Sequence, residues 1–140
     1  MQQEIKEQFE QSGLRLTKLR KAMIGVFARA KKPLTVPEII NLLNKKELYP
    51  NKTSIYRHIE KFTDNDIIRI VHVEDGATHY ELQKKHHHHF VCNECNDVIC
   101  LDDKHIMRLV NAMVSSLQKK GFAVSSHRLS FEGICNKCKY

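Results

Sequence analysis

Apolar positions in the first half of the chain recur at helical spacing. Ile5 and Phe9 suggest a short leading helix that Ser12-Gly13 ends. From Thr17 onward Leu19, Met23, Val26 and Phe27 mark the buried face of a second helix, broken at Lys31-Lys32-Pro33. Thr35 stands three residues before Glu38, the spacing of a capping box, with Pro37 tolerated in the first turn. Ile39, Ile40, Leu42 and Leu43 then supply the stripe of a third helix. Leu48-Tyr49-Pro50 forces a turn and Asn51 can cap a fourth helix, whose Ile55, Ile59 and Phe62 make one narrow apolar face. The opposite face of that helix is left for other contacts.

After Asp66 the period drops to two. Ile67 to Val73, the turn residues Glu74-Asp75-Gly76, and Ala77 to Leu82 read as two strands of a hairpin. Helices followed by such a hairpin predict a winged helix-turn-helix over residues 1–83. At Lys84-Lys85 the chain passes into a Cys- and His-rich lobe, residues 84–140. A strand is expected near Val98 to Leu101, then a helix capped by Asp102 with Ile106, Leu109, Val110, Met113, Val114 and Leu117 on one face. Gly121 should stop it, and Phe122 to Phe131 reads as a further strand. The expected class is α+β, a winged-helix domain followed by an α/β lobe. A lobe of about 55 residues is small for a self-sufficient core, so it is expected to need a metal and a partner chain.

Composition fits a globular chain: 140 residues, 41% apolar and 28% charged. Its net charge of +7 is unevenly spread, because residues 12–61 hold twelve Lys and Arg against Glu38, Glu47 and Glu60. A basic half of this kind suits a phosphate backbone, although a merely solvated basic face is the plainer reading. The sequence starts without a basic segment leading into an apolar one, and no apolar run approaches the roughly 18 residues of a membrane span, so the cytoplasm is expected. Five cysteines, an odd count in a reducing compartment, point to metal rather than to disulfides.

Cys92-Asn93-Glu94-Cys95 and Cys135-Asn136-Lys137-Cys138 are two such pairs, and four thiolates suit a closed tetrahedral structural zinc. A redox role for either CxxC is the rival; neither is followed by His, which excludes haem attachment. The 39 residues between the pairs enclose the long helix and the last strand, so the metal would stand in for a missing core. In an extended segment the run His86-His87-His88-His89 would send His86 and His88 to one side and His87 and His89 to the other. His79 and Glu81 share a strand face by the same alternation. With the odd thiol Cys100, these imidazoles and the carboxylate could form an exchangeable transition-metal site. His79-Tyr80-Glu81 followed by Cys92-x-x-Cys95 mimics a zinc deaminase, but Val91 stands where proline is wanted and the second Cys pair would have no role. No Gly-rich phosphate loop or serine nucleophile motif appears. An enzyme is not expected.

Gly13-Leu14-Arg15-Leu16-Thr17 with Arg20, Thr53-Ser54-Ile55-Tyr56-Arg57, the His run leading into Cys92-x-x-Cys95, and the terminal Cys135-x-x-Cys138 resemble the ferric uptake regulator (Fur) family of bacterial metal-responsive repressors over nearly the whole chain. The resemblance implies a homodimer of two-domain subunits, each with a winged-helix reader and a zinc-bearing dimerisation domain, acting on double-stranded operators that are AT-rich inverted repeats. It implies DNA contacts from Arg15, Arg20, Lys52, Thr53, Ser54, Tyr56 and Arg57. For the regulatory metal it implies Glu81, His87 and His89, with Cys100 where relatives place a carboxylate. Pro33 stands where many members carry a histidine ligand, leaving His72 or His79 to take its place. A further family site is matched by His86, His88 and His127, with Met107 where a glutamate is expected and Asp103 or His105 as substitutes. A thiolate among imidazoles favours Zn²⁺ over Fe²⁺. The reading is therefore a zinc-responsive repressor of metal-uptake genes, possessing a structural Zn²⁺ and a second, regulatory divalent metal. An iron-responsive regulator is the alternative, followed by a DNA-binding protein whose zinc is only structural.

Overall fold

The computed structural model describes residues 7, 9–71, 76–83 and 87–139. The chain falls into two compact units, Met1–Lys84 and Lys85–Tyr140.

In the N-terminal unit each helix starts where a side chain can satisfy its first amides. Thr17 accepts from the Arg20 N–H and opens α1, Lys18–Arg29, whose Met23, Val26 and Phe27 are buried. Thr35 and Glu38 form the capping box of α2, Val36–Asn44: the Thr35 hydroxyl takes the Glu38 N–H, and Glu38 accepts the Thr35 N–H at 2.8 Å. Asn51 accepts from the Ser54 N–H at 2.7 Å and opens α3, Lys52–Asp64, with Ile55, Ile59 and Phe62 inward. Of the leading helix, Ile5 lies outside the described residues; Phe9 is helical, buried, and meets the Phe62 ring edge-on at 5.8 Å.

Strands β1, Ile68–Val71, and β2, His79–Leu82, then pair antiparallel, with Arg69 opposite Glu81 and Ile70 opposite Tyr80. Residues 74 and 75 of the expected turn, like His72, are outside the described set, while Gly76 takes φ +77°. Leu34 adds a bridge to the far side of β2, its N–H and C=O both bonded to Tyr80. Three helices and a hairpin thus enclose one core that includes Met23, Phe27, Ile39, Leu43, Ile55, Phe62, Ile67 and Ile68. Burying each such side chain contributes roughly 1.5–3 kcal/mol.

The C-terminal unit is built on a three-stranded sheet of order β4-β3-β5. β3, His88–Cys92, runs antiparallel to β4, Val98–Leu101, and parallel to β5, Ser130–Gly133. Between β4 and β5 lies α4, Lys104–Lys119. Two sequence expectations are corrected here. The cap is Asp103, which accepts from the His105 N–H at 2.6 Å; Asp102 is not the cap because α4 opens one residue later than expected. The last strand is also shorter, since the parallel ladder to β3 starts only at His89↔Ser130, leaving 122–129 outside regular structure. Gly121 does end the helix, at φ +87°, where its N–H meets the Gln118 carbonyl and that of Phe122 the Leu117 carbonyl. Val91, Cys92, Val98, Val110 and Cys135 are the buried apolar residues described in this unit.

Candidate metal centres and nucleic-acid surface

The two Cys pairs converge because β3 ends at Cys92 and β5 runs parallel beside it. Cys92 N–H bonds the Asp97 carbonyl, Asn96 N–H bonds the Cys92 carbonyl with Asn96 at φ +54°, and the first knuckle closes. Asn93 N–H reaches the Gly133 carbonyl, which carries Cys135 alongside; its own N–H donates to Cys92 Sγ at 3.3 Å. The sulfur atoms of Cys92, Cys95, Cys135 and Cys138 all lie within 4.8 Å of one another, Cys95 and Cys135 at 3.9 Å. The Cys92 thiol is lowered to about 6, first by the Cys135 backbone N–H and then by that of Cys95. Cys138 is pushed up to about 12, above all by sulfur hydrogen bonds with Cys95 and Cys135. Four neighbouring sulfurs thus favour one thiolate and resist a fourth. A divalent cation reverses that balance, so the donor set fits an all-sulfur zinc site with no open position.

On the same sheet, the pleat separates the histidines. His89 is the cross-strand partner of Cys100, and the His87 and His89 rings stand 4.9 Å apart, edge-on. Ligand atoms of His87, His89 and Cys100 lie within 4.8 Å of one another, a trio half-buried at the start of the sheet. His88 points to the other face, is buried, and has the His127 ring 5.5 Å away. His86 lies outside the described residues. Among the described residues Asp103 and His105 join no group of three donors: the first caps α4 and the second contacts Arg108. In the N-terminal unit, Glu81 on β2 is 5% exposed and ion-paired with Arg69. His79 is also buried on β2 and lies in no donor group among the described residues.

With Ile55, Ile59 and Phe62 inward, α3 presents Lys52, Thr53, Tyr56 and Arg57 to solvent, while Ser54 is half-buried. Lys52 Nζ sits 5.8 Å over the Tyr56 ring. Arg15 is exposed on the loop before α1. A groove of about 460 Å³ between α3 and the hairpin is lined by Thr53, Tyr56, Arg57, Thr63, Ile70 and Tyr80. Arg20 is the exception among the expected DNA-contacting residues, being 8% exposed. Its guanidinium donates to the Arg15 carbonyl at 2.7 Å and to His58 Nδ1 at 3.3 Å, so it braces the Arg15 loop against α3 instead of facing outward. Sequence reading missed His58 and Arg69, whose partners lie far along the chain.

The sequence model of the ferric uptake regulator family matches residues 11–132. The chain belongs to that family. Its members are transcriptional regulators rather than enzymes, and they bind DNA as dimers. The Fur-family chain is 29% identical to the ferric uptake regulation protein of Bacillus subtilis, across 96% of this chain and 91% of that one. It is 25% identical to the peroxide operon regulator of the same organism, across 96% and 93%. The solved Helicobacter pylori ferric uptake regulator, described as having three functional metal-binding sites, shares the fold with a TM-score of 0.78 at 23% identity, over 99% of this chain and 91% of that one. A zinc-bound manganese uptake regulator shares it at 0.76 and 23% identity, over 94% and 98%. No described helix is long and apolar enough to cross a membrane.

Proposed function

We propose that this Fur-family regulator is a zinc-responsive repressor of metal-uptake genes. Its regulatory Zn²⁺ is held by His87, His89 and Cys100 and a separate structural Zn²⁺ by the four paired cysteines, with Glu81 added as a regulatory donor by the family resemblance alone. The observation that carries the reading is the Cys100 sulfur beside two imidazoles, a donor set softer than Fe²⁺ or Mn²⁺ prefers. Binding of the regulatory metal would favour the arrangement in which paired recognition helices fit successive major-groove half-sites of an AT-rich inverted repeat. Tyr56 and Arg57 would meet bases and phosphates there, Lys52, Thr53 and Ser54 the backbone, and Arg15 an adjacent minor groove. Arg20 would act through Arg15. His86, His88 and His127 would supply a further site.

The test is operator binding by the wild type and Cys100→Ser under buffered zinc and under anaerobic iron. The zinc response should be lost in Cys100→Ser. If that variant responds to zinc like the wild type, the thiol is structural and the zinc preference falls. Arg57→Ala should abolish operator binding with the fold intact; unaltered affinity would remove it from the interface. The name of the Bacillus subtilis relative favours iron as the second reading, which a response to anaerobic Fe²⁺ alone would establish.

A further inference from the structure

α3 carries one more side chain at the flank of its buried stripe. His58 lies three residues after Ile55 and four before Phe62, and is half-buried there. Its ring stacks on Phe62 at 6.4 Å and 26°, and Phe62 is fully buried against Phe9 of the leading helix. The core therefore fixes where the imidazole stands. Facing it from α1, Arg20 is 8% exposed, and a guanidinium so desolvated has to be met by acceptors. Its Nε donates to His58 Nδ1 at 3.3 Å, and its Nη1 to the Arg15 carbonyl at 2.7 Å. That carbonyl also accepts the Thr17 N–H at 3.0 Å, which closes the turn leading from Arg15 into α1. Arg15 itself is exposed, so its backbone is held while its side chain is left to solvent.

An imidazole that accepts at Nδ1 carries its proton at Nε2 and is neutral. A second proton would go to Nδ1 and set two cations against each other. The charges facing the ring are already positive, Arg20 from α1 and Lys61 from α3 itself, while the leading helix brings apolar Phe9 to the neighbouring Phe62. His58 thus follows Arg57 directly on α3, yet serves as an acceptor and not as a cation.

We propose that His58 is a positioning residue of the DNA-reading surface: through Nδ1 it holds Arg20, and Arg20 holds the Arg15 backbone so that the Arg15 side chain meets DNA in register with α3. The proposal rests on the reading of Arg15 as a DNA contact. A histidine that met phosphate directly would raise affinity on protonation, by releasing counterions; protonation of His58 should lower it.

Zinc-loaded, full-length wild type, Arg15→Ala, His58→Leu, His58→Gln and the doubly substituted Arg15→Ala, His58→Leu protein would be titrated against a labelled AT-rich inverted-repeat duplex selected by the wild type, well below their thermal midpoints. At about pH 7.5, Arg15→Ala and His58→Leu should each weaken binding by about 10-fold. The double variant should bind no worse than Arg15→Ala alone, because both substitutions remove one contact. His58→Gln, whose amide oxygen can take the Arg20 Nε–H, should recover most of the affinity, and it remains usable if His58→Leu fails to fold. Between about pH 7.5 and 5.5, at equal zinc content, the wild type should lose affinity several-fold relative to His58→Gln. If His58→Leu binds like the wild type while Arg15→Ala does not, the proposal is overturned and the Arg15 contact stands. Additive losses in the double variant would make His58 a support of the fold alone and also overturn it. So would a wild type that gains on His58→Gln as the pH falls, since His58 would then contact phosphate. If Arg15→Ala binds normally, the contact itself is removed and the proposal with it.

Discussion

In the N-terminal unit Met23, Phe27, Ile39, Leu43, Ile55 and Phe62 are at most 1% exposed, whereas on α4 of the C-terminal unit Leu109, Met113 and Leu117 are 67, 56 and 43% exposed. Both sets come from equally regular helical stripes. The first stripe meets two other helices and a hairpin; of the second, Val110 alone is buried, Ile106 and Val114 are half-buried, and Leu109, Met113 and Leu117 stay exposed. The difference teaches that a readable amphipathic pattern tells which face will be buried and leaves open what buries it. In the first unit the chain covers itself. In the second, four sulfurs take the place of a core at one end of the sheet, and the apolar face of α4 suits a second copy in a family that binds DNA as dimers.

The largest effect should come from removing what the second unit has instead of a core. Cys135→Ser, or chelation of the wild type, should unfold the C-terminal unit, because apparent binding energies of about 10–16 kcal/mol are typical of structural zinc in small domains. Circular dichroism and stoichiometric metal analysis would follow the loss, while the N-terminal unit should keep its own melting transition. An unchanged spectrum and oligomeric state after stripping would mean that the second unit has a sufficient core after all.

A paired substitution sharpens the contrast. Phe62→Ala should destabilise the N-terminal unit by about 3–5 kcal/mol in denaturant unfolding, from a fully buried ring that also abuts Phe9. Met113→Ser, at a more exposed apolar position, should leave monomer stability nearly unchanged and raise the dissociation constant of self-association in sedimentation. If Met113→Ser destabilises as Phe62→Ala does, α4 is covered within one chain.

The smallest effect is in pH. His58 is held below its ordinary 6.5, first by burial and then by the charges of Arg20 and Lys61. A histidine lowered in the folded state favours folding while neutral, so its contribution is complete above about 6.5 and is lost as pH falls towards the folded value. Protonation would also put a proton on the Nδ1 that accepts from Arg20. The thermal midpoint of the N-terminal unit should therefore fall between pH 7 and pH 5.5, and His58→Gln should flatten the dependence. A wild-type midpoint flat over that range would remove His58 from the account.

Most of the first unit was legible because its signals are local. Thr17, the Thr35–Glu38 box and Asn51 each mark a helix start within three residues of what they bond, and a narrow stripe fixes the rotation of α3. In the second unit adjacent Asp102 and Asp103 offered two caps of equal chemistry, and the strand expected from Phe122 was limited by what β3 could pair, which residues 122–131 do not encode. Alternation along the His run did separate His87 and His89 from His88, since a pleat needs nothing beyond consecutive residues. The burial of Arg20 was not legible because its partners are not local in the sequence: His58 is 38 residues away. The Arg69–Glu81 pair depends on hairpin register, which turn residues set and side-chain type does not.

The most direct measurement is the affinity of the dimer for operator DNA across buffered Zn²⁺, beginning with protein whose four-cysteine site alone is loaded, together with the zinc affinity of the second equivalent with and without DNA. Operator affinity should rise as the second equivalent binds, and DNA should tighten that equivalent by the same factor, because the two couplings are one free energy. An operator affinity that is already maximal with structural zinc alone, and flat thereafter, would contradict a metal-sensing role and leave a constitutive DNA-binding protein.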